Sequence, residues 1–167
     1  MSRINSKIPG TAKSMVNHHE DFCAWAEQQA QLLWLGKYEE ADIINVAGEL
    51  KKASADRRGI LKKNIRRIIE SLIMIQVDPD LFDDLELDII DFREGADAIL
   101  KESPSLCREL EQIIDTQMQF GKLSVVHELL AKGVKCDAID DVLLSPSQIL
   151  GPWMPEREEI GAEDTKH

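Results

Sequence analysis

"RRGILKKNIRRIIESLIMIQ", residues 57–76, decides how this chain folds. Leu61, Ile65, Ile68, Leu72 and Ile75 fall in steps of four, three, four and three, the spacing that keeps one side of an α-helix apolar. "LIMIQV", residues 72–77, would suit a strand in isolation, but it continues that seam and reads as helix. Ser54 is placed to cap the helix, and Pro79 restricts the residue before it, so the helix ends near Asp78. At about 100° per residue, Lys62, Lys63, Arg66 and Arg67 gather on the side away from the seam.

Upstream, Asp21 caps a first helix over 21–35, with Phe22, Trp25, Ala26, Ala30 and Leu33 at helical spacing and Gly36 closing it. Ile43, Val46, Ala47 and Leu50 mark a second helix over about 39–53. Downstream, Asp78 caps a fourth helix with Pro79 in its first turn and acids crowding its positive end. Its stripe is Phe82, Leu85, Ile89, Phe92, Ala96 and Ile99, and Ser103-Pro104 ends it. Leu106, Leu110, Ile113, Met118 and Phe120 carry a fifth helix, which Gly121 kinks or divides. After Gly133 the pattern is irregular, with a single turn at 147–150 and an apolar anchor in Trp153. The reading is all-α: an antiparallel helical bundle of about five main helices with an irregular C-terminal segment. A mobile arm over 1–17, a single domain over 18–156 and a charged tail over 157–167 complete the expected organisation.

The chain has 167 residues, enough for one core that buries roughly 70% of the unfolded surface. No apolar run reaches the ~18–20 residues that span a bilayer, and the N-terminal stretch lacks a secretion signal, so a cytoplasmic location and no membrane partner are expected. Cys23, Cys107 and Cys136 form no CxxC pair and read as small buried hydrophobes.

The formal net charge of -11 is unevenly spread. Residues 51–67 hold eight basic side chains against Asp56, and residues 78–97 hold nine acids against Arg93. Two adjacent helices joined by a Pro-containing turn can neutralise each other, or the basic face can meet an acidic protein, including a second copy. Phosphate and nucleic acid rank behind both, because acids surround the cations and no aromatic residue interleaves them.

His18, His19, Asp21 and Cys23 offer a partial metal set with no matching second pair. Asp88, Asp91, Glu94 and Asp97 have spacing that suits magnesium in a phosphohydrolase, but a solvated helix face explains them more simply. GxSxG, P-loop, GxGxxG and HExxH motifs are absent, so no catalytic residue, metal, cofactor or small-molecule ligand is assigned. Trp34 lies off the first helix's stripe and either packs on a loop or anchors a partner.

"EDFCAWAEQQAQLLWLGKYEEADIINVAGEL" at 20–50, the basic stretch after it, "LKESPSL" at 100–106 and "SPSQILGPWMPE" at 145–156 together resemble a bacterial family catalogued as domain of unknown function twenty-nine. Asp21, Phe22, Ala24, Trp25, Ala26, Gln29, Leu32, Leu33, Gly36, Asp42, Asn45 and Glu49 carry the resemblance. Gly48 stands where an acid is usual, and "MIQVDPDLFDD" at 74–84 replaces a more aromatic and basic stretch. The resemblance implies a bacterial helical bundle and supplies no activity, cofactor or catalytic residue. The expected function is protein–protein interaction or self-association through Lys62, Lys63, Arg66, Arg67 and Trp34, with a protein partner or a homodimer. A metal-dependent phosphohydrolase and a nucleic-acid-binding accessory protein are the alternatives.

Overall fold

The computed structural model describes residues 16–134, 139 and 141–156. Most of the arm expected over 1–17, the tail expected over 157–167, and Cys136 lie outside the described residues. Five α-helices and no strand occur among the described residues: α1 (Phe22–Trp34), α2 (Ile43–Val77), α3 (Phe82–Glu102), α4 (Leu110–Ala131) and α5 (Pro146–Leu150). Single-turn 3₁₀ segments at Tyr38–Glu40 and Pro79–Leu81 and a longer one at Pro104–Glu109 lead into α2, α3 and α4. No helix among the described residues is long and apolar enough to cross a membrane. The chain is an all-α helical bundle, as its hydrophobic period implies.

The chain divides into two compact units between Ala53 and Ser54, inside α2. The helices expected over 39–53 and from Ser54 are therefore one helix of 35 residues. Ser54 caps nothing, because Ala53, Ala55 and the flanking lysines and arginines favour helix and no proline interrupts them.

The first unit is a helical hairpin. Asp21 caps α1 by accepting a hydrogen bond from the Ala24 N–H, and Gly36, at φ +71°, closes it in the left-handed region. The side chain of His18, ahead of α1, reaches Glu49, while Gln29, late in α1, reaches Asp42 at the start of α2. That order makes the two helices antiparallel. Trp25 is buried between them.

The second unit is built on the later part of α2. Leu61, Ile65, Ile68 and Leu72 are fully buried and Ile75 nearly so, with Ile89 and Ala96 of α3 and Ile113, Val125 and Leu129 of α4 in the same cluster. Asp78 caps the turn into α3 with Pro79 in its first position. Gly121 neither kinks nor divides α4, which runs unbroken. A side chain there would meet Ile69 Cγ2 at 2.9 Å, so Gly121 permits a close approach to α2. Phe120, expected in the core, is half exposed, and the exposed thiols of Cys23 and Cys107 are not the buried hydrophobes expected.

Ser145 and Gln148 form a reciprocal capping box at α5. Arg93 then ties the C-terminal segment to α3: its guanidinium donates to the carbonyls of Ile149, Gln148 and Trp153 at 2.9, 2.7 and 2.7 Å. Burial lowers the Arg93 pKa, and the carbonyl acceptors compensate the lost hydration.

Gly48 and Gly59 lie inside α2 with open space where a Cβ would stand. Gly48→Ala and Gly59→Ala each raise stability by about 0.5–1 kcal/mol through backbone entropy alone. Gly121→Ala lowers it by about 1–3 kcal/mol because Ile69 must move. Urea unfolding of the three variants checks both signs.

Candidate interaction surfaces

The interior of the N-terminal hairpin is polar as well as aromatic. Gln29 Oε1 accepts the Asp42 N–H at 2.7 Å, and Asp42 accepts the Asn45 N–H at 3.3 Å and the Asn45 side-chain amide at 2.6 Å. His18 Nε2 lies 3.0 Å from Glu49 Oε1, and its ring meets the Trp25 ring edge-on at 4.5 Å. The Asn45 side chain is the main reason the Asp42 carboxyl sits below its ordinary range, with the Asn45 N–H next. The Trp25 indole N–H pulls the same way, yet it falls outside hydrogen-bond geometry. Asp21, Trp25, Gln29, Gly36, Asp42, Asn45 and Glu49, all carriers of the family resemblance, are thus the residues that cap, close and bridge the hairpin.

One side of this hairpin is apolar and uncovered. On α1, Phe22, Ala26, Ala30, Leu33 and Trp34 lie clockwise of the Trp25 and Gln29 contact face, viewed from the N-terminus. On α2, Ile43, Ala47 and Leu50 lie clockwise of the Asp42, Asn45 and Glu49 face. Because the helices are antiparallel, both flanks look out on the same side. Trp34 is 92% exposed and Leu50 69%, and Tyr38, in the turn that closes the hairpin, is exposed as well. Ala30, Gln31, Leu33 and Trp34 line an open hollow of about 760 Å³. Trp34 does not pack on a loop.

The basic residues of α2 divide among several partners. Arg57 pairs with Glu102, and Arg58 holds Glu109 through two parallel hydrogen bonds of 2.8 and 2.9 Å. That pairing raises the Arg58 pKa and lowers that of Glu109, which also feels Lys62. The acids that meet α2 therefore lie beyond the 78–97 stretch expected to neutralise it. Within that stretch Asp97 pairs with Lys101 of its own helix, and the sole cation, Arg93, binds backbone carbonyls. Asp88, Asp91 and Glu94 are exposed on the outside of α3.

Lys63, Arg66 and Arg67 stay together. They line a groove of about 380 Å³ with Glu70 of α2 and Ser124 of α4. Lys63 and Arg67 are exposed, and Arg66 is half-buried with its guanidinium over the Phe120 ring at 5.8 Å from the centroid. Lys62 does not line this groove, and its charge acts on Glu109 instead. Phe120 and Ser124 escape a sequence reading, since nothing in residues 57–76 indicates what α4 brings beside them. Among the described residues no group of three or more His, Cys, Asp and Glu side chains is arranged to hold a metal ion.

An all-α protein with an aromatic-polar hairpin and a separate cationic groove is the class these observations define. The chain belongs to the family described as Domain of unknown function DUF29, whose model matches residues 18–140. No curated protein and no solved structure matches it.

The lowered Asp42 pKa makes its charged form the stabilising one. That contribution is complete above the unfolded value near pH 4 and disappears as pH falls through the lower folded value. Wild-type thermal midpoints exceed those of Asp42→Asn at neutral pH, and the gap closes in acid. A gap that persists unchanged at pH 3 would assign Asp42 no such role.

Proposed function

We propose that this protein is a protein–protein interaction module that self-associates through the apolar side of its N-terminal hairpin. The carrying observation is Trp34, 92% exposed at the edge of a face continued by Phe22, Ile43 and Leu50. An indole left in water beside other apolar side chains is characteristic of a contact anchor, whereas isolated exposed leucines are ordinary.

A second copy is the occupant this face suits. Two antiparallel helices with both apolar flanks on one side make half of a four-helix bundle, and a two-fold axis supplies the other half from the same surface. The exposed fractions of Phe22, Trp34, Tyr38, Ile43 and Leu50 amount to an area on the order of 700 Å², comparable with what one side of a standard interface buries. The chain carries a net charge of -11, so two copies repel unless the meeting surface is neutral. Phe22, Ala26, Ala30, Leu33, Trp34, Ile43, Ala47 and Leu50 are uncharged, and beside Tyr38, Lys37 pairs with Glu40 at 3.0 Å.

Light scattering tests the reading. The wild-type chain gives a dimer mass at high micromolar concentration that survives added salt, since apolar burial rather than ion pairing drives it. Trp34→Glu with Leu50→Glu gives the monomer mass with unchanged helical circular dichroism. A wild-type monomer across that concentration range would refute self-association.

A further inference from the structure

The groove between α2 and α4 has chemistry that self-association through the hairpin does not use. Lys63, Arg66 and Arg67 converge on it with the Ser124 hydroxyl, and the one carboxylate in its lining, Glu70, is engaged by Arg67 at 3.2 Å. Three cations against one acid leave an excess of two positive charges in a concave surface. The Phe120 ring beneath Arg66 helps hold that guanidinium in place, so less of its freedom remains to be lost on binding. Guanidinium groups match the oxygens of a phosphate in paired hydrogen bonds, and a lysine adds a compact charge.

A second hollow of about 200 Å³ shares Arg67, Glu70 and Ser124 with the first and continues it over Met74, Leu81, Leu85 and Val125. Its far side holds Glu128, which is paired with Lys132. A cationic compartment that opens into a partly apolar one fits a molecule with an anionic head and an apolar body.

We propose that this groove binds a phosphate monoester, its oxyanion among Lys63, Arg66, Arg67 and Ser124 and its apolar remainder over Met74, Leu81 and Leu85. The size of the groove favours a small ester over an acidic helix, which would need a longer trough than these residues line.

Calorimetry with phenyl phosphate and with inorganic phosphate provides the test. Phenyl phosphate binds, inorganic phosphate binds more weakly for want of the apolar contact, and both weaken as salt is raised. Lys63→Gln with Arg66→Gln lowers affinity for phenyl phosphate by at least about tenfold, a factor worth ~1.4 kcal/mol. Met74→Ala narrows the difference between the two probes without removing either. Vesicles of phosphatidylcholine with phosphatidic acid separate the two sources of such a group. Capture by vesicles that phenyl phosphate reverses assigns a lipid head, and phenyl phosphate binding without capture assigns a soluble ester. No heat with any probe at millimolar concentration, or equal affinity in the double variant, overturns the proposal. The Trp34 variant leaves these results unchanged, so failure here and failure of self-association are distinguishable.

Discussion

Seven aliphatic side chains on the later part of α2, Leu61, Ile65, Ile68, Ile69, Leu72, Ile73 and Ile75, are withdrawn from water to within about one per cent. Each such burial contributes on the order of 1.5–3 kcal/mol before entropy is subtracted, so this one helix supplies much of the drive for the unit around it. The neighbouring helices come close where they lack side chains. A Cβ at Gly95 would lie 2.7 Å from the Asn64 amide, and one at Gly121 would crowd Ile69. With the apolar side of α2 committed to that core, its cations can project only from the remaining arc, beside α3 on one edge and α4 on the other.

What the sequence reveals follows from this. A seam that repeats in steps of four and three survives translation into structure because burial enforces it, and Leu61 through Ile75 sit where the period puts them. Asp78-Pro79 also acts as written, because a cap and a following proline are satisfied within a few residues, whereas the turn expected at 147–150 starts at Pro146 behind a Ser145 cap that was not expected. Ser54 shows the opposite case. A serine suits a cap better than a helix interior, but the cost of placing it inside is small and the helix formers on both sides of it outweigh that preference.

Charge is less legible than hydrophobic period. Counting acids by segment matches the basic part of α2 to residues 78–97, yet Glu102 and Glu109 are the carboxylates within reach of Arg57 and Arg58. Side-chain reach and helix phase select the partner, and neither appears in a segment total. Arg93 is the sharpest instance. Surrounded by acids in sequence, it spends its donors on three backbone carbonyls about fifty-five to sixty residues downstream. Lys63, Arg66 and Arg67 are visible in sequence as a cluster, but Ser124 and Phe120 make it a groove, and helix packing alone brings them there.

The two exposed surfaces answer different physical problems in one acidic chain. Out to the ~8 Å beyond which salt screens charge, a net charge of -11 disfavours the approach of anions and of second copies alike. A neutral apolar face escapes that repulsion, because its attraction acts only at contact and carries no sign. A cationic groove escapes it differently. Within a few ångströms the potential belongs to Lys63, Arg66 and Arg67 rather than to the distant carboxylates, which is what the proposed binding of an oxyanion requires. For the proposed binding, a compact anion with a dense local charge suits such a groove better than an extended polyanion, whose remaining charges would still face the acidic surface.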